Sequence, residues 1–308
     1  MGKATREAFG AGLVELAREG VDVVAVEADL SKSTTTATFA DSYPERFFNV
    51  GIAEQNMIDV AAGLAVSGKV AFTGSFAVFA TGRAYDQVRN TVCYSELDVK
   101  LAPTHSGIPL GPDGGSHQMV EDIALMRVLP GMRVLVPADY NSAKAAIRTA
   151  ALTPGPVYVR LGRVGSDDVY PEGHEFELGR ANVLREGADV TLAACGIEVS
   201  EALKAADLLA QEGISAEVID VATIKPLDVD TLAASVAKTG RIVTCEEHSV
   251  LGGMGSAVSE VLSEVCPVPT RRIGVADTFG TSGEPAELME HFGLTAAHIA
   301  AAARELLG

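Results

Sequence analysis

The chain has 308 residues, and its 41 acidic and 24 basic residues give a formal net charge of −17. This length predicts about two domains, and the strong acidity argues against nucleic acid and anionic membranes as partners. Apolar residues make up 47% and charged residues 21% of the chain, a composition that excludes intrinsic disorder.

The four cysteines form no CxxC pair, which argues against a zinc site or a redox site. The first residues lack the apolar core of a secretion signal, and no apolar run reaches the roughly 18 residues that a membrane span needs. We therefore expect a cytoplasmic protein with reduced thiols, no metal ligands and no membrane segment.

Short β-branched runs alternate with amphipathic stretches in the first half of the chain, as in βαβ units that build a parallel sheet. The predicted strands are residues 21–26, 69–73, 99–104, 133–136 and 157–161, and the predicted helices are residues 4–18, 54–66, 81–95, 120–127 and 142–151. This pattern predicts a first α/β domain over residues 1–165.

A polar segment without periodicity follows, and we interpret residues 166–182 as a linker. The alternation then resumes, which predicts a second, smaller α/β domain over residues 183–308. Its predicted strands are residues 190–194, 216–221, 241–245 and 272–275, and its predicted helices are residues 199–211, 229–238, 256–263 and 296–307. A glycine-rich turn at 252–255 could hold an anion at a helix start or serve close packing.

The chain has no recognisable phosphate-anchoring motif. It contains no GxxxxGK[ST] loop, and no GDG sequence is followed about 30 residues later by an asparagine. Four segments nevertheless combine residue types that could support chemistry, and each has a structural alternative.

The first segment places a carboxyl group in the first turn of an apolar helix. A glycine turn at Gly51 leads to Glu54, which we expect among Ile52, Met57 and Ile58. A carboxyl in such surroundings could donate a hydrogen bond to a ring nitrogen or act as a general acid. The alternative is a glutamate that only stabilises the positive end of the helix dipole.

The second segment carries Phe76 and Phe79, two of ten phenylalanines in a chain without tryptophan. Their spacing places them on one helix face, where they could stack on a flat heterocycle or belong to the core. Arg83 and Arg89 on the same helix are either exposed charges or contacts for an anion.

The third and fourth segments follow predicted strands. His105 and His117 bracket a Gly/Pro-rich loop that contains Asp113, a combination suited to proton transfer or to binding sugar hydroxyls and phosphate. Arg160 and Arg163 lie three residues apart at a strand end, where they could hold a phosphate or form salt bridges.

In this order and spacing, the four segments resemble the pyrimidine-binding domain of thiamine-diphosphate enzymes of the transketolase type. The second unit resembles the C-terminal domain that follows it in that superfamily, through residues 246–262 and 277–295. The sequences GIAEQNM, DGGSHQMVEDIALMR and EEHSVLGGMGSAVSE together resemble the C-terminal subunit of split, two-chain transketolases.

The resemblance implies roles for individual residues. Glu54 matches the glutamate that hydrogen-bonds N1′ of the cofactor's aminopyrimidine and promotes loss of the thiazolium C2 proton. Phe76 and Phe79 match the rings that stack on this pyrimidine. His105 and His117 match the histidines that orient the donor sugar and assist proton transfer.

The resemblance also implies contacts at Asp29, near the cofactor, at Asp113, for a substrate hydroxyl, and at Arg163 and Ser33, for a phosphate group. Two positions depart from the family pattern and leave substrate choice open. Gly82 stands where many transketolases have a further aromatic residue, for which Tyr85 could compensate, and Pro112 stands where a glutamate is frequent.

The missing diphosphate motif fits this resemblance, because in this superfamily a separate domain holds the diphosphate through Mg²⁺ or another divalent cation. The implied partner is an N-terminal transketolase subunit that carries this motif, in a heterotetramer with two copies of each chain. The implied activity is transfer of a two-carbon ketol unit between sugar phosphates, as in pentose phosphate metabolism.

Three alternatives stay open on the sequence alone. Two lie within the superfamily: a protein like 1-deoxyxylulose-5-phosphate synthase, which the sequence RAYDQV resembles, and the beta subunit of a pyruvate-dehydrogenase-type enzyme. The two histidines favour sugar phosphates over a lipoyl acceptor. The third alternative is a non-catalytic scaffold subunit that has kept the fold.

Overall fold

The computed structural model describes residues 2–308, which form two α/β units with one sheet each. The strands are β1 Val23–Glu27, β2 Phe47–Asn49, β3 Val70–Thr73, β4 Val99–Leu101, β5 Arg133–Leu135, β6 Val157–Val159, β7 Asn182–Arg185, β8 Val190–Ala194, β9 Ala216–Asp220, β10 Thr223–Lys225, β11 Ile242–Ser249 and β12 Thr270–Val275. The helices are α1 Glu7–Arg18, α2 Ser31–Thr34, α3 Ala37–Ser42, α4 Glu54–Val66, α5 Tyr85–Gln87, α6 Asp122–Arg127, α7 Tyr140–Leu152, α8 Glu198–Ala210, α9 Val229–Thr239, α10 Met254–Val265, α11 Pro285–His291 and α12 Ala296–Leu307. A 3₁₀ turn spans Pro44–Arg46, and π-helical turns at Val78–Arg83 and Val88–Cys93 flank α5.

The two sheets confirm the predicted α/β class with mostly parallel strands. The first has the order β10-β5-β6-β4-β3-β1-β2 and is parallel except for β10. The second has the order β12-β11-β8-β9-β7 and is parallel except for β7. Because β10 comes from the second half of the chain, strand pairing joins the two units, which the sequence did not predict.

Several predicted elements differ from the structure at their ends. Helix α4 has the predicted limits, whereas β4 ends at Leu101 and β6 at Val159, before the predicted residues 104 and 161. Helix α1 begins at Glu7 because residues 4–6 lie against 162–165 instead: Ala4 forms a β-bridge with Gly165.

Six short elements were missed, namely β2, β7, β10, α2, α3 and α11. Each has three to seven residues, so the helical or strand period that it can show is short. Residues 160–181 contain no helix or strand, and the predicted bounds 1–165, 166–182 and 183–308 stay a prediction. No helix among residues 2–308 is both long and apolar enough to cross a membrane.

The two units share one apolar core and one buried ion network. Val134 and Tyr158 of the first sheet belong to the same cluster as Ile219 and Ile242 of the second. This shared core means that the two units pack as one body.

The ion network centres on Arg160, which is 4% exposed. Its Nε donates to Asp122 Oδ2 at 2.8 Å in the first unit, and its Nη1 donates to Glu247 Oε1 at 2.8 Å in the second. Nη2 donates to the carbonyl oxygens of Met119 and Glu247. The interpretation of Arg160 as a phosphate ligand is therefore wrong, since both its carboxylate partners and its burial remove it from solvent.

We expect Arg160→Ala to lower the free energy of unfolding by about 3–5 kcal/mol, because it leaves two carboxylates buried without their cation. Urea denaturation followed by circular dichroism measures this loss. The matched control is Arg148→Ala, which removes an ion pair to Glu19 whose two side chains are about half exposed, and this change should cost at most about 1 kcal/mol. Equal losses for both variants would contradict a special role of the buried network.

Candidate active site

The predicted carboxyl lies at the start of α4. Gly51, with φ +75°, turns the chain so that Glu54 is the first helical residue, and its side chain is 2% exposed. The surroundings of Glu54 are less apolar than the sequence predicted. Ile52 is 78% exposed, and Arg83 Nη1 donates to both carboxylate oxygens at 3.0 and 2.9 Å. The carboxylate therefore has a guanidinium partner instead of wholly apolar neighbours.

Four aromatic side chains form a cluster beside this ion pair. The ring of Phe76 stacks on His105 with centroids 3.9 Å apart and on Phe79 with centroids 6.0 Å apart. The ring of His117 stands edge-on to both phenylalanines, at 6.3 and 5.4 Å. Arg83 lies over Phe79 with its Cζ 4.5 Å from the ring centroid, so the guanidinium connects the cluster to Glu54.

The β-sheet explains why these segments meet. Strands β3 and β4 are neighbours and parallel, so their carboxyl ends lie at one edge of the sheet. Phe76 follows β3, His105 follows β4, and Phe76 forms a parallel β-bridge with Thr104. His105 itself has φ +63°, a left-handed conformation of the kind that clusters at functional sites.

His105 is held as a neutral imidazole. Burial, aided by the positive charges of Arg6 and Arg163 and by His117, lowers its pKa to about 3. Thr104 Oγ1 lies 2.7 Å from Nδ1, which leaves Nε2 as the ring atom available for proton exchange with a ligand. The histidine therefore suits a role as a hydrogen-bond partner near neutral pH.

A basic group that includes one unpredicted residue lies next to His105. Arg6 Nη1 donates to the carbonyl oxygen of Ser33 at 2.8 Å. Its Nε is buried without a hydrogen-bond partner, and burial together with the charge of Arg163 lowers its pKa. Arg163 is part-buried and donates to Leu110 O. Arg6 carries no local sequence signal, because its neighbours come from distant parts of the chain.

Two further predicted residues differ in how they join the site. Asp29 is exposed but linked to the start of α4: its Oδ1 accepts from Asn49 Nδ2 at 3.2 Å, and Asn49 Oδ1 accepts from the backbone N–H of Gly51. Asp113 is exposed on the 111–117 loop, and no hydrogen bond or ion pair of the described chain connects its side chain to the cluster.

The structure also describes the two positions that depart from the family pattern. Gly82 is exposed, and a Cβ placed on it would meet no atom within 4 Å, so the space of a larger side chain is open there. Pro112 is exposed next to Asp113.

The second unit borders the site, which the sequence analysis did not predict. A Cβ on Gly114 would lie 2.4 Å from Ser282 Oγ, and one on Gly115 would lie 2.5 Å from Gly280 O. Gln118 Nε2 donates to Thr281 O at 3.0 Å. The loop that carries Asp113 and His117 is therefore packed against residues 280–282.

The glycine-rich turn at 252–255 does not hold an external anion. Glu246 accepts hydrogen bonds from the backbone N–H groups of Met254 and Gly255 at 2.6 and 2.8 Å, so its own carboxylate occupies the start of α10. A Cβ on Gly253 would lie 2.2 Å from Glu246 Oε2. Close packing, the alternative interpretation, is therefore correct.

Family comparisons agree with this architecture. The family model for the transketolase pyrimidine binding domain matches residues 1–165, and the model for the transketolase C-terminal domain matches residues 179–299. These matches define the class as α/β proteins with a pyrimidine-binding domain followed by a C-terminal domain. The chain belongs to the transketolase family.

Three similar proteins match this chain over more than nine-tenths of their own length. A protein of Methanocaldococcus jannaschii named "Putative transketolase C-terminal section" is 48% identical over 97% of this chain and 94% of its own. The 6-deoxy-6-sulfo-D-fructose transketolase subunit SqwH of a Clostridium species is 47% identical over 96% of this chain and 91% of its own. A solved structure described as a split gene transketolase, inactive beta4 tetramer, superposes with a TM-score of 0.92 at 52% identity, over 100% of this chain and 99% of that one.

The lowered pKa of His105 makes stability depend on pH in a defined direction. Between about pH 6.5 and pH 3 the unfolded chain binds a proton at this side chain that the folded chain does not. Stability due to the neutral histidine is therefore complete above pH 6.5 and is lost as the pH falls. Relative to His105→Gln, the free energy of unfolding of the wild type should drop by about 2 kcal/mol from pH 8 to pH 5. Urea titrations of both proteins at pH 8 and pH 5 measure these free energies. If wild type and variant differ by the same amount at both pH values, His105 is not held in its neutral form.

Proposed function

We propose that this chain is the C-terminal subunit of a two-chain transketolase that transfers a two-carbon ketol unit between sugar phosphates. The observation that carries the proposal is the junction of three groups at one sheet edge: the Glu54 carboxylate, the aromatic cluster around Phe76 and Phe79, and the basic pair of Arg6 and Arg163 beside His105. A carboxylate beside rings suits a nitrogen heterocycle, and the arginines suit an anionic substrate.

The residues present fit the aminopyrimidine of thiamine diphosphate. The planar guanidinium of Arg83 lies over the Phe79 ring and donates to Glu54 at the same time. These two side chains therefore accommodate a flat, nitrogen-containing group between them. Arg83 is 50% exposed and Glu54 is 2% exposed, so Arg83 can move into solvent, and the pyrimidine nitrogen would then replace it as the partner of the buried carboxyl group.

The chain's own residues supply binding, orientation and proton positions. Thiamine diphosphate, when bound, supplies the electron sink for breaking the bond next to the donor's carbonyl group. Glu54 would hold a pyrimidine nitrogen by a hydrogen bond, and the rings of Phe76 and Phe79 would orient the pyrimidine. His105 would exchange a proton with the substrate at Nε2, and His117 would orient the donor sugar.

The substrate's phosphate is assigned to the basic side of the site. Arg6 has a buried Nε that lacks a partner, and a phosphate oxygen would satisfy it. Arg163 and Ser33 complete this group, and Asp113 would contact a substrate hydroxyl from the solvent-exposed loop at residues 111–117. Asp29 would lie near the cofactor, next to the turn that precedes Glu54.

The diphosphate and its Mg²⁺ or other divalent cation are assigned to an N-terminal partner subunit, in a complex with two copies of each chain. Support comes from the domain content, since the family models cover a pyrimidine-binding and a C-terminal domain. Further support comes from relatives that are themselves named a C-terminal section and a subunit. The similar split gene transketolase of known structure is described as an inactive beta4 tetramer, as expected for half of a two-chain enzyme.

Reconstitution tests the proposal. The purified chain and its N-terminal partner are assayed separately and together, with thiamine diphosphate and Mg²⁺, on xylulose 5-phosphate with ribose 5-phosphate. Turnover should require both chains. Robust activity of the isolated chain would contradict the split-subunit assignment.

Other substrates in the same assay separate the alternatives. Turnover of pyruvate with glyceraldehyde 3-phosphate alone would favour a 1-deoxyxylulose-5-phosphate synthase-like enzyme. A preference for 6-deoxy-6-sulfo-D-fructose as donor would assign a sulfonate to the Arg6–Arg163 group. A stable complex without turnover of any substrate would favour the non-catalytic scaffold.

Within the active complex, Glu54→Gln should lower kcat by at least about 100-fold, because the amide cannot exchange a proton with the pyrimidine nitrogen. Assembly should persist, since the variant releases only the half-exposed Arg83. Steady-state kinetics and size-exclusion chromatography measure the two properties. The matched control is Asp230→Asn, an exposed acidic residue in the first turn of α9, which should keep normal turnover. Near-normal rates for Glu54→Gln would refute the assignment.

A further inference from the structure

A buried carboxylate at the carboxyl end of the first sheet has no role in the function proposed above. Glu27 is the last residue of β1, and its side chain is 0% exposed. No arginine, lysine or histidine pairs with it among residues 2–308. A carboxylate in such a place persists only where hydrogen bonds replace the water that it has lost.

Five donors, four from residues 28–36 and one from the turn that follows β3, converge on this carboxylate. Oε2 accepts from the backbone N–H groups of Ala28 and Leu30 at 3.1 and 3.2 Å. Oε1 accepts from the hydroxyl groups of Thr34 and Thr36 at 2.5 and 3.0 Å and from the backbone N–H of Ser75 at 3.4 Å. The carboxylate thus ties the 28–36 segment, which follows β1, to the turn that follows β3.

The tied segments are strained. Asp29, Thr35 and Ser75 have φ values of +65°, +70° and +77°, and they are three of the six non-glycine residues with positive φ among residues 2–308. Each adjoins or contains a group that Glu27 binds. A non-glycine residue in this conformation costs free energy and persists only when its surroundings over-determine it, and the five hydrogen bonds supply that restraint.

The absence of a side chain at Gly74 leaves the space that the Glu27 carboxylate occupies. A Cβ on Gly74 would lie 2.1 Å from Glu27 Oε1. Any larger residue at position 74 would displace the carboxylate from its donors, so the glycine before Ser75 and the glutamate form one unit.

The tied segments carry residues of the proposed site. Asp29 and Ser33 lie within the 28–36 segment, and Phe76 directly follows Ser75. We propose that Glu27 is a positioning residue that couples the cofactor side and the phosphate side of the site by holding these two segments in one arrangement. The expected effect of Glu27 on the binding of cofactor and substrate rests on the proposed function. The linkage of residues 28–36 to residues 74–77 through its carboxylate does not.

The first test measures the coupling on the chain alone, by amide hydrogen exchange with mass spectrometry. In Glu27→Gln an amide N–H₂ replaces one acceptor oxygen, so protection should fall by about tenfold or more in residues 28–36 and in residues 74–77 together. A milder variant, Thr36→Val, removes one hydroxyl donor and should give the same pattern with a smaller amplitude. Loss of protection confined to 28–36, or spread evenly over the first sheet, would overturn the proposal.

The matched control is Asp139→Asn. Asp139 is also 0% exposed and accepts four hydrogen bonds, from Ser142 N and Oγ and from the backbone N–H groups of Val169 and Tyr170. Asp139→Asn should lose protection from hydrogen exchange only around these donors. Its drop in Tm should be comparable to that of Glu27→Gln.

The second test uses the reconstituted two-chain enzyme. Glu27→Gln should raise the Michaelis constants for thiamine diphosphate and for the donor sugar phosphate by about tenfold, with kcat changed by less than about threefold. Asp139→Asn should leave all three constants within about twofold of the wild type. Equal kinetic constants for both variants at equal loss of Tm would overturn the positioning role.

Different results would refute the proposed transketolase function and the positioning role of Glu27. If wild-type chain and partner show no turnover, the proposed function fails, while the exchange pattern of Glu27→Gln and Thr36→Val still decides whether the two segments are coupled. If the wild-type complex is active and the exchange pattern is absent, only the positioning role fails.

Discussion

The buried guanidinium of Arg160 is the constraint on which the rest of the structure depends. It stands where β6 ends, and it binds carboxylates from both units as well as the backbone carbonyl of Met119. Burial of three charged groups is unfavourable unless each finds a partner, so the two units can dock only in the orientation that completes the network. Because Met119 follows the loop of His117, the same contact also restrains the site.

One side of the candidate active site, the loop at residues 111–117, depends on that docking. The loop with Asp113 and His117 packs against residues 280–282 so closely that Gly114 and Gly115 leave no room for a Cβ. Glycines in this loop therefore serve contact between the two units, in addition to any freedom they give to a binding loop. The histidine side of the site is built by both units, whereas Glu54 and the two phenylalanines belong to the first unit alone.

Predictions from the sequence succeeded where a local pattern carried the information. The 13-residue helix α4 was predicted with its observed limits, because its glycine turn and its apolar positions are local signals. The aromatic pair and the two histidines were found as motifs, and the structure brings them into contact. The predictions failed for β10, which has three residues and pairs with a strand almost ninety positions earlier, and for Arg160, whose partners lie 38 and 87 residues away.

For the charged groups too, local sequence patterns predicted the residue, and contacts between distant residues decided its partner. A sequence shows that Glu54 starts a helix, but the guanidinium that pairs with it comes from a π-helical turn whose register no local period predicts. Arg6 looked like part of an amphipathic helix, and only the approach of residues 33–35 and 162–163 makes it part of a basic pocket. Burial then gives His105 its low pKa, a property of the surroundings and not of the residue.

The amino-acid sequence by itself determined the α/β class, the order of the two units, the family resemblance and the residue types of the site. These follow from periodicity and from motifs a few residues long, which are set by local backbone geometry. Tertiary structure decided which charges are buried and paired, which arginine keeps a buried Nε without a hydrogen-bond partner, and which unit borders each side of the candidate site. Those outcomes depend on distances between residues far apart in the chain, and such distances exist only once the sheets have formed and docked.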